Sequence, residues 1–485
     1  MSKQYIVTGG NPLKGSVTVG GSKNTVTKMM VASLLTKEPV KLSNIPHIGE
    51  VELTMSLLNA LGAQAMWDGV KDSSVHLVSP TLQTSSVPAT FSGKHRIPIL
   101  LVGPLLHRFG HAEIPIEGGD KIGPRPVNFH ITGYRAMGAE VEENGNTIFF
   151  KANKLHGAVI ELPYPSVMTT ESLLLAAVLA EGKTVIKNAA IESEIIELVD
   201  LLQKMGAIIF LEPERTFVVE GVAKLNGAEH RVAPDRIEAA SFACAAIATK
   251  GSVLVKGVSQ HGMRTFLNML RKIGGAFEIS NDGIWFYSTG QMKGVTMETG
   301  THPGFMTDWQ PPFSLLLMQA EGMSVVHETV HEKRFGYFEG LKKMGADVNI
   351  FNACLGGHSC RFQGMNYPHS VAVRGPVKLK ATDLVVPDLR AGFVYVIAAL
   401  MAQGTSVISG VDQLERGYES LVEKLRGLGA DIKVVDEVSD HLRGGANLLH
   451  LVGGAGSQVV PSQISLEHSE KEAIPLPPEP VEFVI

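Results

Sequence analysis

"LLQKMGAIIF", residues 201–210, is the stretch that decides the fold. Ile195, Leu198, Val199, Leu202 and Met205 fall at the three- and four-residue spacing of an amphipathic helix, Gly206 supplies a left-handed cap, and "AIIF" opens a strand. The phrase recurs as "LLNALGAQAMW" (57–67), "YRAMGAEVE" (134–142), "MLRKIGGAFEI" (269–279), "LKKMGADVNI" (341–350) and "KLRGLGADIKV" (424–434). Its glycines, from Gly62 to Gly429, are spaced by 76, 68, 68, 71 and 84 residues. The chain therefore reads as six copies of a unit of about 70 residues.

A second phrase lies between the copies: "VASLLTKEPVKLSNI" (31–45), "AAVLAEGKTVIKNAA" (176–190), "ACAAIATKGSVLVKGVS" (243–259), "LLLMQAEGMSVVHETV" (315–330) and "ALMAQGTSVISGV" (399–411), with "ILLVGPLLHRFGHAEIPI" (99–116) as a looser sixth. Small apolar residues predict a helix buried on several sides that turns into a short β-branched strand. Each unit is thus helix, strand, helix, strand. Six units in 485 residues predict an α/β protein of two domains of three units each, with inner helices surrounded by sheets.

The balance of 43 Lys+Arg against 48 Asp+Glu, a formal net charge of -5, argues against a general nucleic-acid surface. No apolar run is long enough to span a bilayer, the start "MSKQYIVTGG" lacks a signal-peptide core, and three cysteines point to a reducing compartment, so a cytoplasmic protein is expected. "CLGGHSC" (354–360) brings Cys354, His358 and Cys360 together. Neither a fourth ligand nor a paired knuckle is visible, so it reads as a glycine-rich turn with buried thiols, and no metal is assigned.

Polar residues gather at the helix starts. "GGSKN" (20–24) places Ser22, Lys23 and Asn24 at a glycine-flexed helix entry that offers an anion free N–H groups. Arg96, Arg125, Asp235, Arg236, Asp308, Arg334, Asp388, Arg390 and Arg416 occupy corresponding junctions. An acidic chain that repeatedly sets arginine beside buried helix starts points to a ligand with several negative charges. "GGDKIGPRP" (118–126) adds a loop in which glycines and prolines flank Asp120 and Arg125.

With "GGSKN", "GPLLHRFG", "GGDKIGPRPVNFHITG", "PDRIE", "HPGFMTD", "PDLRAG" and "ERGYE" in this order, the sequence from about residue 4 to 450 resembles the UDP-N-acetylglucosamine 1-carboxyvinyltransferases of the enolpyruvate transferase family. The resemblance implies two inside-out α/β barrel domains of three units each: residues 22–233, carrying a mobile loop at 115–126, and residues 1–21 with 234–452, followed by a flexible tail, 453–485. It implies transfer of the enolpyruvyl group of phosphoenolpyruvate to the 3-hydroxyl of UDP-N-acetylglucosamine, with release of phosphate and no cofactor. Lys23, Arg125 and Arg416 would grip the phosphate, and Arg390 and Arg334 the carboxylate. Asn24 and Asp308 would hold the sugar, with Asp308 as the base for its hydroxyl. Asp388 would orient the neighbouring arginines. Arg96, Arg125, Pro126, Val127, Asn128, Ser166 and Val167 would meet the nucleotide.

At Asp120 the common form of the family has a cysteine, the target of the epoxide fosfomycin; some members resemble this chain in having aspartate. Other departures surround the nucleotide: Tyr164, Met168, Asn128 and Leu100 stand where lysine, glycine, aspartate and tryptophan occur. Another nucleotide or shikimate 3-phosphate as acceptor, and a catalytically silent UDP-sugar binder, remain alternatives.

Overall fold

The structure is a computed structural model that describes residues 3–69, 73–115, 126–357 and 360–436. Asp120, Arg125 and the tail 453–485 lie outside them. The repeat glycines behave as the pattern requires: Gly62, Gly138, Gly206, Gly274, Gly345 and Gly429 take φ of 98°, 89°, 103°, 92°, 99° and 95°. Only a residue without a Cβ adopts this region at little cost, so each outer helix stops there and the chain turns into a strand.

In the third unit the buried helix Val167–Ala177 leads to the strand Lys183–Lys187, the outer helix Ser193–Lys204 and the strand Ile208–Glu212. The outer helix buries Ile195, Leu198, Val199, Leu201 and Leu202. The structure corrects the expected unit by adding strands. Thr216–Glu220 enters antiparallel between Ile208–Glu212 and Lys183–Lys187, and Val159–Glu161 pairs parallel with Lys183–Lys187. Single-unit periodicity missed these because the hairpin partner and the parallel strand are short and fall outside the repeated phrases.

Among the described residues, five four-stranded sheets and one three-stranded sheet result. Three are completed by distant chain: Lys3–Thr8 pairs antiparallel with Thr405–Ser409 and Asp431–Asp436, and Lys14–Thr18 pairs parallel with Ser252–Lys256. Ala228–Arg231 in the same way pairs parallel with Val40–Ser43. Hydrophobic burial forms two cores, one built from residues between Val26 and Val232, the other from Tyr5 to Val19 together with Ile237 to Ile432.

Helices occupy the inside. Arg236–Ala248 is buried along its whole length and packs on Gln310–Leu317, which also packs on Leu389–Met401. Helices inside and sheets outside, three repeats to a core, is the inside-out α/β architecture. Among the described residues no helix is long and apolar enough to cross a membrane.

Candidate active site

The starts of the inner helices open onto one cleft of about 340 Å³. Each start is shaped by a short polar side chain. Asp235 Oδ1 accepts from the N–H groups of Ile237 (2.7 Å) and Glu238 (3.2 Å), and Asp388 Oδ1 from those of Arg390 (2.9 Å) and Ala391 (3.1 Å). Both carboxylates stabilise the positive end of a helix, and the adjacent Arg236 and Arg390, though buried, line the cleft. Ser166 caps Val167–Ala177 more loosely, its Oγ accepting from Thr169 N at 3.4 Å. Lys23 opens the helix Lys23–Ala32, and its N–H donates to Asp235 Oδ2 at 3.3 Å. A carboxylate of this chain therefore already occupies part of that helix start.

Of the residues expected at the site, Lys23, Asn24, Arg96, Pro126, Ser166 and Val167 line the cleft, as do Asp308, Arg334, Arg390 and Arg416. Asp388 caps the helix Leu389–Met401 and does not itself line the cleft. Val127 faces a smaller cavity beside Arg96, and Asn128 begins the helix Asn128–Ala136 without lining the cleft.

Besides Glu194, which accepts from Arg236 Nε and Nη2 at 2.8 Å, two carboxylates organise the cations. Asp308 Oδ1 accepts from Arg334 Nη2 at 2.5 Å, and its Oδ2 stands 3.9 Å from Arg390 Nη2. Burial pushes the Asp308 carboxyl up, but Arg334, Arg390 and His331 outweigh it and hold the group well below the usual carboxylate range. Arg390 is also braced by Tyr418, whose hydroxyl oxygen accepts from Nη1 at 2.9 Å. Arg334 is buried, and its Nε has no hydrogen-bond partner among the described residues.

Sequence reasoning missed the second carboxylate, Glu50. Its Oε2 accepts from Arg416 at 3.1 Å and lies 4.0 Å from Lys23 Nζ, so it joins two cations whose positions differ by most of the chain. Burial raises Glu50, and Lys23, Arg416 and His95 together bring it below its ordinary value. His95, buried behind it, is pushed down to about 4 by burial against the pull of Glu50.

Two further residues of the cleft sit in a different environment. Glu171 is buried, one oxygen lacks a hydrogen-bond partner among the described residues, and burial raises its carboxyl to about 7. Arg361 stacks over the Tyr164 ring at 4.6 Å and donates to Val330 O at 2.6 Å. Tyr164, expected where a lysine can occur, is thus paired with an arginine here. No motif pointed to Glu171 or Arg361.

The thiol reading also needs correction. Cys354 and Cys360 are only half-buried, and His327 and His369 stand beside them, which brings four candidate ligands together where the "CLGGHSC" stretch alone lacked a fourth. His358 lies outside the described residues.

Comparison with known proteins agrees with this architecture. Residues 7–425 match the model of the EPSP synthase (3-phosphoshikimate 1-carboxyvinyltransferase) family. The UDP-N-acetylglucosamine 1-carboxyvinyltransferase of Protochlamydia amoebophila is 49% identical over 438 residues, 89% of this chain and 94% of that protein. The protein of the same name from Chlamydia pneumoniae is 47% identical, covering 90% and 96%. The enolpyruvyl transferase NikO of Streptomyces tendae superposes with a TM-score of 0.79 at 23% identity, over 90% of this chain and 100% of its own, and so shows the fold. The chain belongs to the EPSP synthase family of enolpyruvate transferases and is a transferase.

Proposed function

We propose that the chain transfers the enolpyruvyl group of phosphoenolpyruvate to the 3-hydroxyl of UDP-N-acetylglucosamine and releases phosphate, the step that opens peptidoglycan precursor synthesis. One observation carries the reading: two cation pairs, Lys23 with Arg416 and Arg334 with Arg390, face a single cleft from two different carboxylates. Phosphoenolpyruvate presents two anionic groups, and each pair suits one of them. Lys23 and Arg416, with Arg125, take the phosphate; Arg334 and Arg390 take the carboxylate. Asn24 and Asp308 hold the sugar, and Arg96, Pro126, Ser166 and Val167 the nucleotide. The 47–49% identity to proteins named for this acceptor supports the choice of sugar nucleotide.

In this reading the 3-hydroxyl oxygen attacks carbon 2 of phosphoenolpyruvate while carbon 3 gains a proton, giving a tetrahedral phosphoketal. Loss of that proton and rupture of the carbon–oxygen bond to phosphate complete the transfer. Asp308 removes the hydroxyl proton. Held by Arg334 it is a weak base, but a substrate carboxylate that draws Arg334 away removes the largest charge depressing it, and its basicity rises as the site fills. Asp120 protonates carbon 3, which requires an environment that keeps it protonated.

Asp120 gives the proposal a sharp consequence. A carboxylate is a far poorer nucleophile towards an epoxide than a thiolate, so fosfomycin leaves the enzyme active. Phosphate release from the two substrates is measured with and without the drug, beside Asp120→Ala. The expected result is turnover that resists fosfomycin and collapses in the variant. Rapid inactivation of the wild type overturns the Asp120 assignment. Release only with another nucleotide or with shikimate 3-phosphate moves the acceptor, and ligand binding without turnover marks a silent paralogue.

A further inference from the structure

Outside the cleft, a cluster among the described residues brings four metal-ligating side chains together. The strands Asp347–Phe351 and Ser370–Gly375 form a hairpin. Its connection, residues 352–369, contains no helix or strand among its described residues, whereas the corresponding hairpins at 145–146, 213–215 and 281–282 turn in two or three residues. A loop of that length inside a compact unit calls for something to hold it. Cys354 and Cys360 lie on it, His369 at its end, and His327 closes the neighbouring strand Gly322–His327, opposite Ser370.

One donor atom from each of these four residues lies within 4.8 Å of the others. Cys354 Sγ stands 3.5 Å from Cys360 Sγ and 3.3 Å from His369 Nε2. A tetrahedral zinc ion with Zn–S of about 2.3 Å and Zn–N of about 2.0 Å separates its sulfurs by about 3.8 Å and sulfur from nitrogen by about 3.5 Å. Small side-chain shifts reach that geometry.

Both imidazoles are oriented for ligation. His369 Nδ1 donates to Tyr367 O at 2.7 Å, which leaves the Nε2 lone pair towards the thiols. His327 is fully buried; its Nδ1 pairs with Glu298 Oε2 at 3.0 Å, and its Nε2 has no hydrogen-bond partner among the described residues. A carboxylate or carbonyl behind each ring is the arrangement that fixes the tautomer of a metal-bound histidine. The loop backbone is fitted to the same pair: a Cβ on Gly356 would sit 2.2 Å from His327 Nδ1 and 2.3 Å from Glu298 Oε2, and Gly357 N donates to Glu298 Oε1 at 2.8 Å.

We propose that His327, Cys354, Cys360 and His369 hold one zinc ion in a closed, structural Cys2His2 site that pins this loop against the wall of the cleft. Two thiolates and two neutral imidazoles make the site electrically neutral with zinc, which suits its partial burial. Four protein ligands leave no open position, so the ion does no chemistry. Its effect is on position. Cys360 is followed by Arg361, which lines the cleft, and His327 by Glu328, which accepts from the N–H groups of Val330 (2.8 Å) and His331 (3.0 Å).

The test is zinc content of the full chain purified without chelator, read by elemental mass spectrometry together with thiol counting. The expected result is about one zinc per chain, falling at least tenfold in Cys354→Ser and in His369→Ala. His358→Ala retains the metal, because four donors complete the set without it. Cobalt exchanged into the wild-type chain shows tetrahedral d–d and thiolate charge-transfer absorption, a readout that does not depend on the variants folding. A metal-free chain with three titratable thiols, or one whose mass is lower by two hydrogens through a Cys354–Cys360 disulfide, overturns the proposal. Zinc lost in His358→Ala but kept in His369→Ala overturns the ligand set.

Discussion

Asp308 and Glu171 line the same cleft, and burial pushes both carboxyls up. Around Asp308, Arg334 and Arg390 reverse that push, and the group is ionised. Around Glu171 the opposing cation is Lys28 alone among the principal influences, Glu194 and Glu192 add to the push, and the carboxyl sits at about 7. Burial is the largest influence on both acids, so it is the difference in neighbouring charge that leaves one ionised and the other able to hold its proton. Asp308 is therefore held ionised between Arg334 and Arg390, whereas Glu171 can present a neutral carboxyl to the same cleft.

The largest expected effect breaks the first half of this contrast. Asp308→Ala lowers turnover about a thousandfold, the range of a lost general base, and destabilises the fold by about 3 kcal/mol because Arg334 and Arg390 lose their shared counter-ion. Asp308→Asn separates the roles, since it retains the shape and an acceptor oxygen but cannot take the proton. Phosphate release and urea unfolding on both variants decide. An active Asn variant would remove Asp308 as the base while leaving it as an anchor.

Glu171→Gln tests the second half. The folded carboxyl titrates at about 7 against 4.5 for its ordinary value, so the folded state retains a proton the unfolded chain has lost between those pH values, and stability falls as pH rises through that window. The glutamine variant escapes this loss. Its advantage is absent below about pH 4.5 and reaches up to about 3 kcal/mol above pH 7. His95 works in the opposite direction: its folded value of about 4 lies below the ordinary 6.5, so acidification from 6.5 towards 4 costs stability. Unfolding curves at pH 4.5, 6 and 8 separate them. A variant advantage that does not change with pH would mean that Glu171 is not held neutral.

Glu50→Gln is expected to act more mildly. It removes the charge that Lys23 and Arg416 share, lowering stability by about 2 kcal/mol, while those cations become freer for a substrate phosphate. The Michaelis constant for phosphoenolpyruvate then falls as the melting temperature falls. A constant that rises instead would show that Glu50 positions Arg416 more than it competes for it.

What the sequence made legible follows the distance over which each feature is written. The repeated helix end with its positive-φ glycine is a local pattern, so the six units and the inside-out arrangement could be read from phrases such as "LLQKMGAIIF". Lys23, Arg236, Arg334 and Arg390 were legible because each sits at a helix start, whereas Arg361, on the loop after Phe351, carried no such mark. Glu50 was not, since the Arg416 that defines its role lies 366 residues away. His327 and His369 were hidden for the same reason: neighbouring strands bring them to the thiols, whereas the adjacent His358 attracted the local reading. Pairings made by sheet register leave no spacing signature in one sequence.

The smallest expected effect concerns the helix starts themselves. Asp235 and Asp388 cap with charged oxygens at 2.7–3.2 Å, whereas Ser166 reaches Thr169 N only at 3.4 Å and also shares its Oγ with the Thr169 hydroxyl at 2.9 Å. A long neutral cap contributes little, so Ser166→Ala costs about 0.5 kcal/mol, the low end of the capping range. Thermal unfolding measures that term, and the Michaelis constant for the sugar nucleotide measures another. If the constant rises severalfold while stability hardly moves, the Ser166 hydroxyl is weakly engaged in its own helix because it serves the ligand. If both stay within error, the exposed N–H groups at the start of Val167–Ala177 do the binding and the side chain only completes the turn.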